Sequence, residues 1–287
     1  MEYTSPYIDP VLRLEIQREV ACALAEDVGA GDLTAMLIPD AANASGRVIT
    51  RQNAVLCGTA WFDAAFHMLD PTSTVVWHAR DGERVQTGQS LCSIVANARS
   101  LLTAERTALN FLQLLSGTAT TVRRFVDAVE GTRARIVDTR KTLPGLRLAQ
   151  KYAVKAGGGS NHRIGLYDGI LIKENHIIAA GGIRPALEKA TSIAPPSAFV
   201  EIEVENLNQL REALDCGATM VLLDNMSVPQ MAEAVRLTAG RAQLEASGGI
   251  SIERVREIAL AGVDRISVGS LTKDVQSVDF SLRHVEE

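Results

Sequence analysis

The chain has 287 residues, of which 46% are hydrophobic and 22% charged, and its formal net charge at pH 7 is -5. This length is enough for one large domain or two of medium size, and the composition is typical of a soluble globular protein. The negative net charge argues against a general nucleic-acid binder, and no uninterrupted apolar run reaches the length of a membrane span.

The cysteines and the N-terminus indicate the compartment. No cysteine belongs to a CxxC pair or has metal-ligand spacing; the four are Cys22, Cys57, Cys92 and Cys216. We therefore expect reduced thiols in a cytoplasmic protein. The first residues include Glu2 and Asp9 instead of a basic stretch followed by an apolar one, so we predict no signal peptide.

Helices and strands alternate irregularly in the first part of the chain. Apolar residues at helical spacing predict helices at 10–28, 59–69, 101–115 and 118–129. Apolar runs predict strands at 46–56 and 74–78. Residues 81–95 read as a strand pair with a glycine turn. Its rhythm is similar to that of biotinyl and lipoyl carrier domains, but their modifiable lysine is missing, so we interpret it as scaffold.

From Ala134 onward, short buried strands alternate strictly with helices. The predicted strands are 134–137, 169–172, 199–204, 220–223, 243–246 and 265–268, and the helices between them are 145–156, 184–191, 207–215, 228–237 and 252–260. Continuous apolar runs of this kind are typical of parallel strands covered by helices, as in a β/α barrel or a doubly wound sheet. Six units are fewer than the eight of a complete barrel.

Polar residues follow each predicted strand at once. They are Asp138 with Arg140 and Lys141, Lys173, Glu203 with Glu205, Asp224-Asn225, Ser247-Gly248-Gly249, and Gly269-Ser270. In a β/α barrel the C-terminal ends of all strands surround the active site, whereas a doubly wound sheet binds ligands at one crevice. Polar groups at six consecutive strand ends favour the barrel.

Positive charge is concentrated between residues 138 and 176, where the backbone is predicted to turn. The cationic residues are Arg140, Lys141, His162, Arg163 and Lys173, and they lie at the ends of elements instead of along one helix face. This arrangement indicates a pocket for a substrate with several negative charges. The alternative is a set of ordinary Lys and Arg side chains on exposed loops.

Small residues follow the last two strands. Glycines such as those in Ser247–Gly249 and Gly269-Ser270 let backbone N–H groups approach an anion closely, and a following helix N-terminus favours negative charge. One such loop is more often a simple turn. Two of them after the last strands of a barrel favour a site for a phosphate monoester.

Glu201, Glu203 and Glu205 alternate along one predicted strand and so face the same way. Three ionised carboxylates repel one another unless cations offset them, and either the basic residues or Mg²⁺ can do so. The lysines and arginines, together with Glu203 and Asp224, therefore suit a metal-bound, polyanionic sugar phosphate. An exposed strand edge remains the alternative for Glu201 and Glu205.

These segments together resemble quinolinate phosphoribosyltransferase, the decarboxylating nicotinate-nucleotide pyrophosphorylase of NAD biosynthesis. The resemblance begins at about residue 10, and the matching stretches are AERTALN at 104–110, DTRKTLPGLR at 138–147, KYAVKAGGGSNHRIGLYDGILIKENHI at 151–177, EIEVENL at 201–207, LLDN at 222–225, EASGGI at 245–250 and GVDRISVGSLTK at 262–273. The resemblance implies a mixed α/β N-terminal domain, residues 1–115 joined by 275–287, and an incomplete, open β/α barrel, residues 116–274.

The resemblance also implies the reaction and the residues that carry it. The family transfers phosphoribosyl from phosphoribosyl pyrophosphate (PRPP) to quinolinate with decarboxylation, using Mg²⁺ bound with PRPP near Glu203 and Asp224. By this comparison Lys141, Lys173, Glu203 and Asp224 are catalytic. The other implied substrate contacts are Thr139, Arg140, His162, Arg163, the 5′-phosphate loops Ser247, Gly248, Gly249, Gly269 and Ser270, and Arg106 contributed by a neighbouring subunit of a homodimer or larger assembly.

Two other functions remain open from the sequence. One is a related pyrophosphorylase of the type associated with molybdenum transport, acting on another base, although the NHR and LIKENH segments belong to the dicarboxylate pocket. The other is a non-catalytic sensor of phosphorylated metabolites on the same scaffold.

Overall fold

The computed structural model describes residues 8–285 and divides into two compact units. The first, which we call the mixed unit, contains the residues up to Arg123, Thr142–Gly158 and those from Asp274 onward. The second, the barrel unit, contains Arg124–Lys141 and Gly159–Lys273. The domain limits inferred from the sequence stay a prediction.

Ten helices and twelve strands make up the regular structure of the described residues. The helices are α1 (Pro10–Val28), α2 (Thr59–Leu69), α3 (Ala98–Ala128), α4 (Arg147–Ala156), α5 (Glu174–Ala180), α6 (Ile183–Ile193), α7 (Leu207–Asp215), α8 (Val228–Thr238), α9 (Val255–Leu260) and α10 (Ser270–Lys273), with a 3₁₀ turn at Ala35–Leu37. The strands are β1 (Asn43–Thr50), β2 (Ala54–Val55), β3 (Thr74–Trp77), β4 (Arg84–Val85), β5 (Ser90–Asn97), β6 (Arg135–Val137), β7 (Gly169–Ile172), β8 (Phe199–Val204), β9 (Met220–Asp224), β10 (Gln243–Ser247), β11 (Arg265–Ser267) and β12 (Phe280–Val285). None of the helices described is long and apolar enough to cross a bilayer.

The mixed unit contains an antiparallel sheet in the order β12-β1-β5-β3 and a small sheet of β2 and β4. Its apolar core is built around α2, whose Trp61, Phe62 and Phe66 are almost completely buried. Helix α1 begins where the Asp9 carboxylate accepts a hydrogen bond from the Leu12 backbone N–H, with Pro10 in the first turn. The predicted start of this helix is therefore confirmed.

Three predictions for the mixed unit were wrong. The two helices predicted at 101–115 and 118–129 form one helix, α3, because Gly117 does not interrupt it. A Cβ at Gly117 would collide with the Gln276 carbonyl oxygen, so this glycine admits a neighbouring chain segment. The predicted strand at 46–56 is broken by a bend at residues 51–53. The supposed strand pair at 81–95 does not exist, because β4 pairs with β2 whereas β5 pairs with β1 and β3.

The barrel unit contains six parallel strands in the order β6-β11-β10-β9-β8-β7. From β7 to β11, strands consecutive in the chain are neighbours, and the first strand, β6, pairs with the last, β11. Strands β6 and β7 end the sheet and do not pair with each other. The predicted open barrel of six strands is thus confirmed. Because all strands are parallel, their C-terminal ends lie at one edge.

Helices α6 to α9 follow the strands in the expected order, and only their ends differ from the predicted bounds. Two short helices were not predicted. Helix α5 begins immediately after Lys173, and α10 begins at Ser270. Helices of seven and four residues are too short to show a clear apolar periodicity in the sequence. Both begin at strand ends that carry predicted site residues.

Candidate active site

A cleft of about 190 Å³ lies at the C-terminal ends of the barrel-unit strands. Its walls include eight of the predicted site residues: Thr139, Arg140, Lys141, His162, Arg163, Lys173, Glu203 and Ser247. Four lining residues were not predicted as site residues: Leu171, Leu222, Glu245 and Ser267. The other predicted residues of this unit, Asp224, Gly248, Gly249, Gly269 and Ser270, lie on the same strand ends or the loops after them. Arg106 lies on α3 in the mixed unit and is exposed.

Lys141 is held by the segments that follow β6 and β11, the first and last strands of the barrel unit. Its backbone N–H donates to the Thr139 hydroxyl at 3.0 Å, and its carbonyl accepts a hydrogen bond from the Thr272 hydroxyl at 2.7 Å. Gly269 packs beside it, since a Cβ there would lie 3.1 Å from Lys141 Cδ. The small residue after β11 therefore has a packing reason, which is to make room for the lysine stem.

Lys173 and Glu203 form an ion pair across neighbouring strands, with 2.8 Å between Nζ and Oε2. The Lys173 side chain is 49% exposed and that of Glu203 is 15% exposed. Lys173 precedes α5, and its backbone N–H donates to His176 Nδ1 at 3.0 Å, which fixes the turn at the end of β7. The pair presents one ammonium and one carboxylate to the cleft.

Arg163 and Arg140 bring positive charges close together. Burial, followed by the charge of Arg140, lowers the pKa of Arg163 from its usual range. The Arg163 guanidinium donates to the Gly169 carbonyl at 3.0 Å. After Arg163 the backbone turns, because the Asp168 carboxylate accepts the N–H groups of Ile164 and Gly165. The positive charges of Arg140 and Arg163 repel each other in the cleft, and an anionic ligand bound there would offset this repulsion.

The His162 ring is fixed by hydrogen bonds to both nitrogens. Its Nδ1 accepts the Arg163 backbone N–H at 2.8 Å, and its Nε2 lies 2.8 Å from Glu201 Oε2. Because Nδ1 is an acceptor, the proton lies on Nε2 and points at Glu201. His162 therefore lines the cleft with both of its ring nitrogens hydrogen-bonded within the protein.

Two buried carboxylates, Glu201 and Glu245, lie beside the His162 ring at the cleft. Glu201 on β8 is fully buried, and Glu245 on β10 is 1% exposed with Oε2 2.7 Å from Arg265 Nε. Burial raises the pKa of Glu201 to about 7, although the charges of Arg265 and Arg163 oppose the shift. Burial, followed by the charge of Glu201, raises the pKa of Glu245.

The alternative of an exposed strand edge is therefore wrong for Glu201, whereas Glu205 is exposed just beyond the strand. Sequence reasoning missed Glu245 and Arg265. Each lies two residues before a serine of the cleft, Ser247 or Ser267, on the same face of its strand. This two-residue period was the available signal.

Among the residues described, His162, Glu201 and Glu245 form one group whose possible ligand atoms all lie within 4.8 Å. The hydrogen bonds of His162 oppose a metal ion at this position. Nε2 would have to lose its proton to bind a metal, and Nδ1 would then carry a proton that meets the Arg163 N–H.

Asp224 connects β9 to the predicted phosphate loop after β10. It pairs in register with Ser247, and the Asn225 backbone N–H donates to the Ser247 carbonyl at 3.0 Å. The Asp224 carboxylate accepts from the Asn225 side-chain amide at 2.8 Å. Gly248 has φ of +109°, and a Cβ there would collide with the Asn225 side chain. The loop thus depends on glycine for conformation and for space.

Comparison with known proteins places both parts of the chain in one family. Residues 32–116 match the model of the quinolinate phosphoribosyl transferase N-terminal domain, and residues 118–283 match that of its C-terminal domain. A nicotinate-nucleotide pyrophosphorylase [carboxylating] of Mycobacterium leprae is 44% identical over 270 residues, covering 91% of this chain and 94% of the relative. A probable enzyme of the same name from Bacillus subtilis is 40% identical over 257 residues, covering 90% and 89%.

Solved structures show the same agreement over the whole length. The nicotinate-nucleotide pyrophosphorylase of Francisella tularensis superposes with a TM-score of 0.93 at 42% identity, covering 98% of this chain and 100% of that one. A structure named NadC from Streptococcus pyogenes gives a TM-score of 0.92 at 38% identity, with coverage of 98% and 100%.

Proposed function

The chain belongs to the quinolinate phosphoribosyltransferase family, and we propose that the barrel-unit cleft is the active site of its reaction. The enzyme transfers phosphoribosyl from PRPP to quinolinate with decarboxylation, and the products are nicotinate mononucleotide, pyrophosphate and CO₂. This reaction is a step of de novo NAD biosynthesis. The cleft must therefore bind a pyridine with two carboxylates beside a sugar that carries a phosphate and a pyrophosphate.

The crowding of cations on a small cleft is the observation that carries the assignment of the quinolinate site. Four cationic side chains line this cleft of about 190 Å³: Arg140, Lys141, Arg163 and Lys173. The guanidinium of Arg140 is near enough to Arg163 to lower the pKa of Arg163. Quinolinate has two adjacent carboxylates on a planar ring, which can offset these charges. Guanidinium groups also match planar carboxylates through paired hydrogen bonds.

PRPP is proposed to lie across the ends of β8 to β11. Ser247 at the end of β10, Gly248 and Gly249 after it, and Gly269 and Ser270 after β11 are small residues, which let backbone N–H groups approach the 5′-phosphate. Glu203 and Asp224, at the ends of neighbouring strands, supply carboxylate oxygens of the type that Mg²⁺ prefers. When bound with PRPP, Mg²⁺ would neutralise charge on the pyrophosphate.

The residues of the cleft act by position and charge in the proposed reaction. The quinolinate ring nitrogen attacks the anomeric carbon of PRPP, and the bond to pyrophosphate breaks with its electron pair on the leaving oxygen. Lys141 and Lys173 stabilise that charge, and the carboxylates of Glu203 and Asp224 stabilise the cation-like ribose. The positive ring nitrogen then accepts the electrons left when CO₂ departs from carbon 2, and a proton replaces it. No side-chain nucleophile is required.

We propose in addition that the enzyme is a homodimer or larger assembly in which Arg106 completes the partner's site. Arg106 is exposed on α3, a helix that precedes all the barrel-unit strands in the chain, so it does not belong to a strand end of that unit. A third guanidinium would suit a substrate with two carboxylates.

The four cysteines carry free thiols, which supports a reducing, cytoplasmic location.

The proposed function is tested by product analysis. Purified protein, Mg²⁺, PRPP and quinolinate labelled in its 2-carboxylate are mixed, and nicotinate mononucleotide and labelled CO₂ are measured together. We expect the two products in equal amounts, with none when PRPP is omitted. Absence of both products, with a folded protein, would show that the chain is a sensor or acts on another base.

A further inference from the structure

We propose that Glu201 is a positioning residue for quinolinate recognition: through the His162 ring, it sets the backbone from which Arg163 extends. This inference rests on the proposed function and adds a residue that touches neither substrate. Glu201 lies under the cleft, fully buried on β8, and it does not line the cavity itself.

His162 is held from several elements at once. Its backbone N–H donates to Asp138 after β6 at 2.8 Å, and its ring stands edge-on to Phe199 on β8 with 5.2 Å between centroids. Glu201 Oε2 accepts the Nε2 proton at 2.8 Å. Of these three contacts, only the one with Glu201 engages a ring nitrogen. Glu201 therefore fixes the tautomer as well as the orientation.

The tautomer has a consequence one residue further along the chain. With the proton on Nε2, the lone pair of Nδ1 accepts the Arg163 backbone N–H at 2.8 Å. The opposite tautomer would place two N–H groups against each other there. Arg163 is then fixed at both ends, since its guanidinium donates to the Gly169 carbonyl at 3.0 Å. A guanidinium fixed in this way can be in place before the substrate arrives.

This relay explains why His162 lines the cleft although both of its nitrogens are used inside the protein. Its contribution is to hold Arg163, and Glu201 in turn holds His162. The pair should therefore affect binding of quinolinate far more than binding of PRPP, whose proposed contacts lie on β8 to β11 and the loops after them. A general loss of folding would affect both substrates.

Kinetics of Glu201 variants test the relay. Glu201→Leu removes the acceptor, and we expect KM for quinolinate to rise about 10- to 100-fold, as for loss of a buried hydrogen bond to a charged group, with KM for PRPP within about 2-fold. Glu201→Gln keeps an oxygen acceptor, and we expect it to restore KM for quinolinate to within about 3-fold of the wild type. Glu205→Leu, beyond the same strand and exposed, is the matched control and should behave as the wild type.

His162→Asn gives a second test of the relay, and as a single variant it does not depend on folding of Glu201→Leu. His162→Asn retains an acceptor near the Nδ1 position but cannot reach Glu201. We expect it to raise KM for quinolinate about as far as Glu201→Leu does, and the double variant with Glu201→Leu to be no worse than either single variant, because both changes break the same link. Additive effects of the two changes would overturn the relay.

Nitrogen-15 NMR of the histidine rings reads the tautomer directly, with His162→Asn to assign the signals. We expect a neutral His162 with the proton on Nε2. A proton on Nδ1, a cationic ring at pH 7.5 or coordination of added Mg²⁺ or Mn²⁺ by the ring would overturn the proposal. Failure of the wild-type enzyme to form product would instead refute the proposed function, and the relay's role in quinolinate binding with it. Normal wild-type turnover with an unchanged KM in Glu201→Leu would refute the relay alone.

Discussion

Lys173 Nζ lies 2.8 Å from Glu203 Oε2, so the ammonium at the end of β7 and the carboxylate at the end of β8 neutralise each other across the cleft. The lysine is half exposed, and a polyanionic substrate can compete with Glu203 for it. The pair contributes little to folding, because an exposed ion pair is worth about 0–1 kcal/mol. Its position at the strand ends points instead to catalysis.

Replacing Lys173 with alanine should therefore separate activity from stability. We expect kcat/KM to fall about 100-fold or more, since a charge that stabilises the leaving group is lost. The melting temperature should stay within about 2 °C of the wild type. Lys189→Ala, on the exposed face of α6, is the control and should change neither quantity. A large drop in melting temperature in Lys173→Ala would make the residue structural.

A substitution at Gly248, in the proposed phosphate loop, should weaken binding of PRPP more than binding of quinolinate. Gly248→Ala places a methyl group against the Asn225 side chain at a positive φ, so the loop must shift. We expect KM for PRPP to rise about 10-fold, with a smaller change for quinolinate. Gly240→Ala imposes a similar φ but meets nothing within 4 Å, and it should leave both KM values unchanged. Equal effects of the two substitutions would remove Gly248 from the PRPP site.

Glu19 should make stability depend on pH. Burial raises its pKa to about 7 from an ordinary value of 4.5, although the hydrogen bond from the Trp61 indole opposes the shift. A raised carboxyl pKa contributes stability that is fully present below pH 4.5 and is lost as pH rises through 7.

Glu19→Gln cannot ionise and should lose this dependence. Between pH 5 and 8, the free energy of unfolding of the wild type should fall on the order of 1–3 kcal/mol further than that of the variant. Urea denaturation at both pH values measures the difference, and Glu188→Gln, at an exposed site on α6, serves as the control. Parallel pH dependence in wild type and Glu19→Gln would show that the pKa of Glu19 is not raised in the folded state.

The shared-site proposal predicts complementation between two inactive variants. Arg106→Ala and Lys141→Ala should each lose most activity while still assembling, because one charge seldom holds an interface together. In a mixed dimer one site carries both defects and the other carries neither. An equal mixture with exchanged subunits should therefore recover about a quarter of wild-type activity. No recovery, with exchange shown by mass spectrometry, would place Arg106 in its own subunit's site or in none.

The strand ends of the barrel unit could be predicted from sequence because parallel strands bury continuous apolar runs and end at polar residues. Lys173 and Glu203 were placed correctly for this reason. Glu245 and Arg265 were not, since each interrupts an apolar strand and only pairing across β10 and β11 shows that they neutralise each other. The contact between His162 and Glu201 was also out of reach, because the two residues are 39 positions apart in the chain. The continuity of α3 through Gly117 was not predicted, because Gln276, the neighbour that this glycine admits, is distant in the chain.

The central claim is that the cleft is built for two adjacent carboxylates, and the ratio of kcat/KM for quinolinate to that for nicotinate tests it most directly. Nicotinate lacks the second carboxylate and would leave part of the positive charge of the cleft unneutralised by substrate. With PRPP and Mg²⁺ saturating, we predict a ratio of at least about 1000 in favour of quinolinate. Values within about tenfold of each other would contradict the claim.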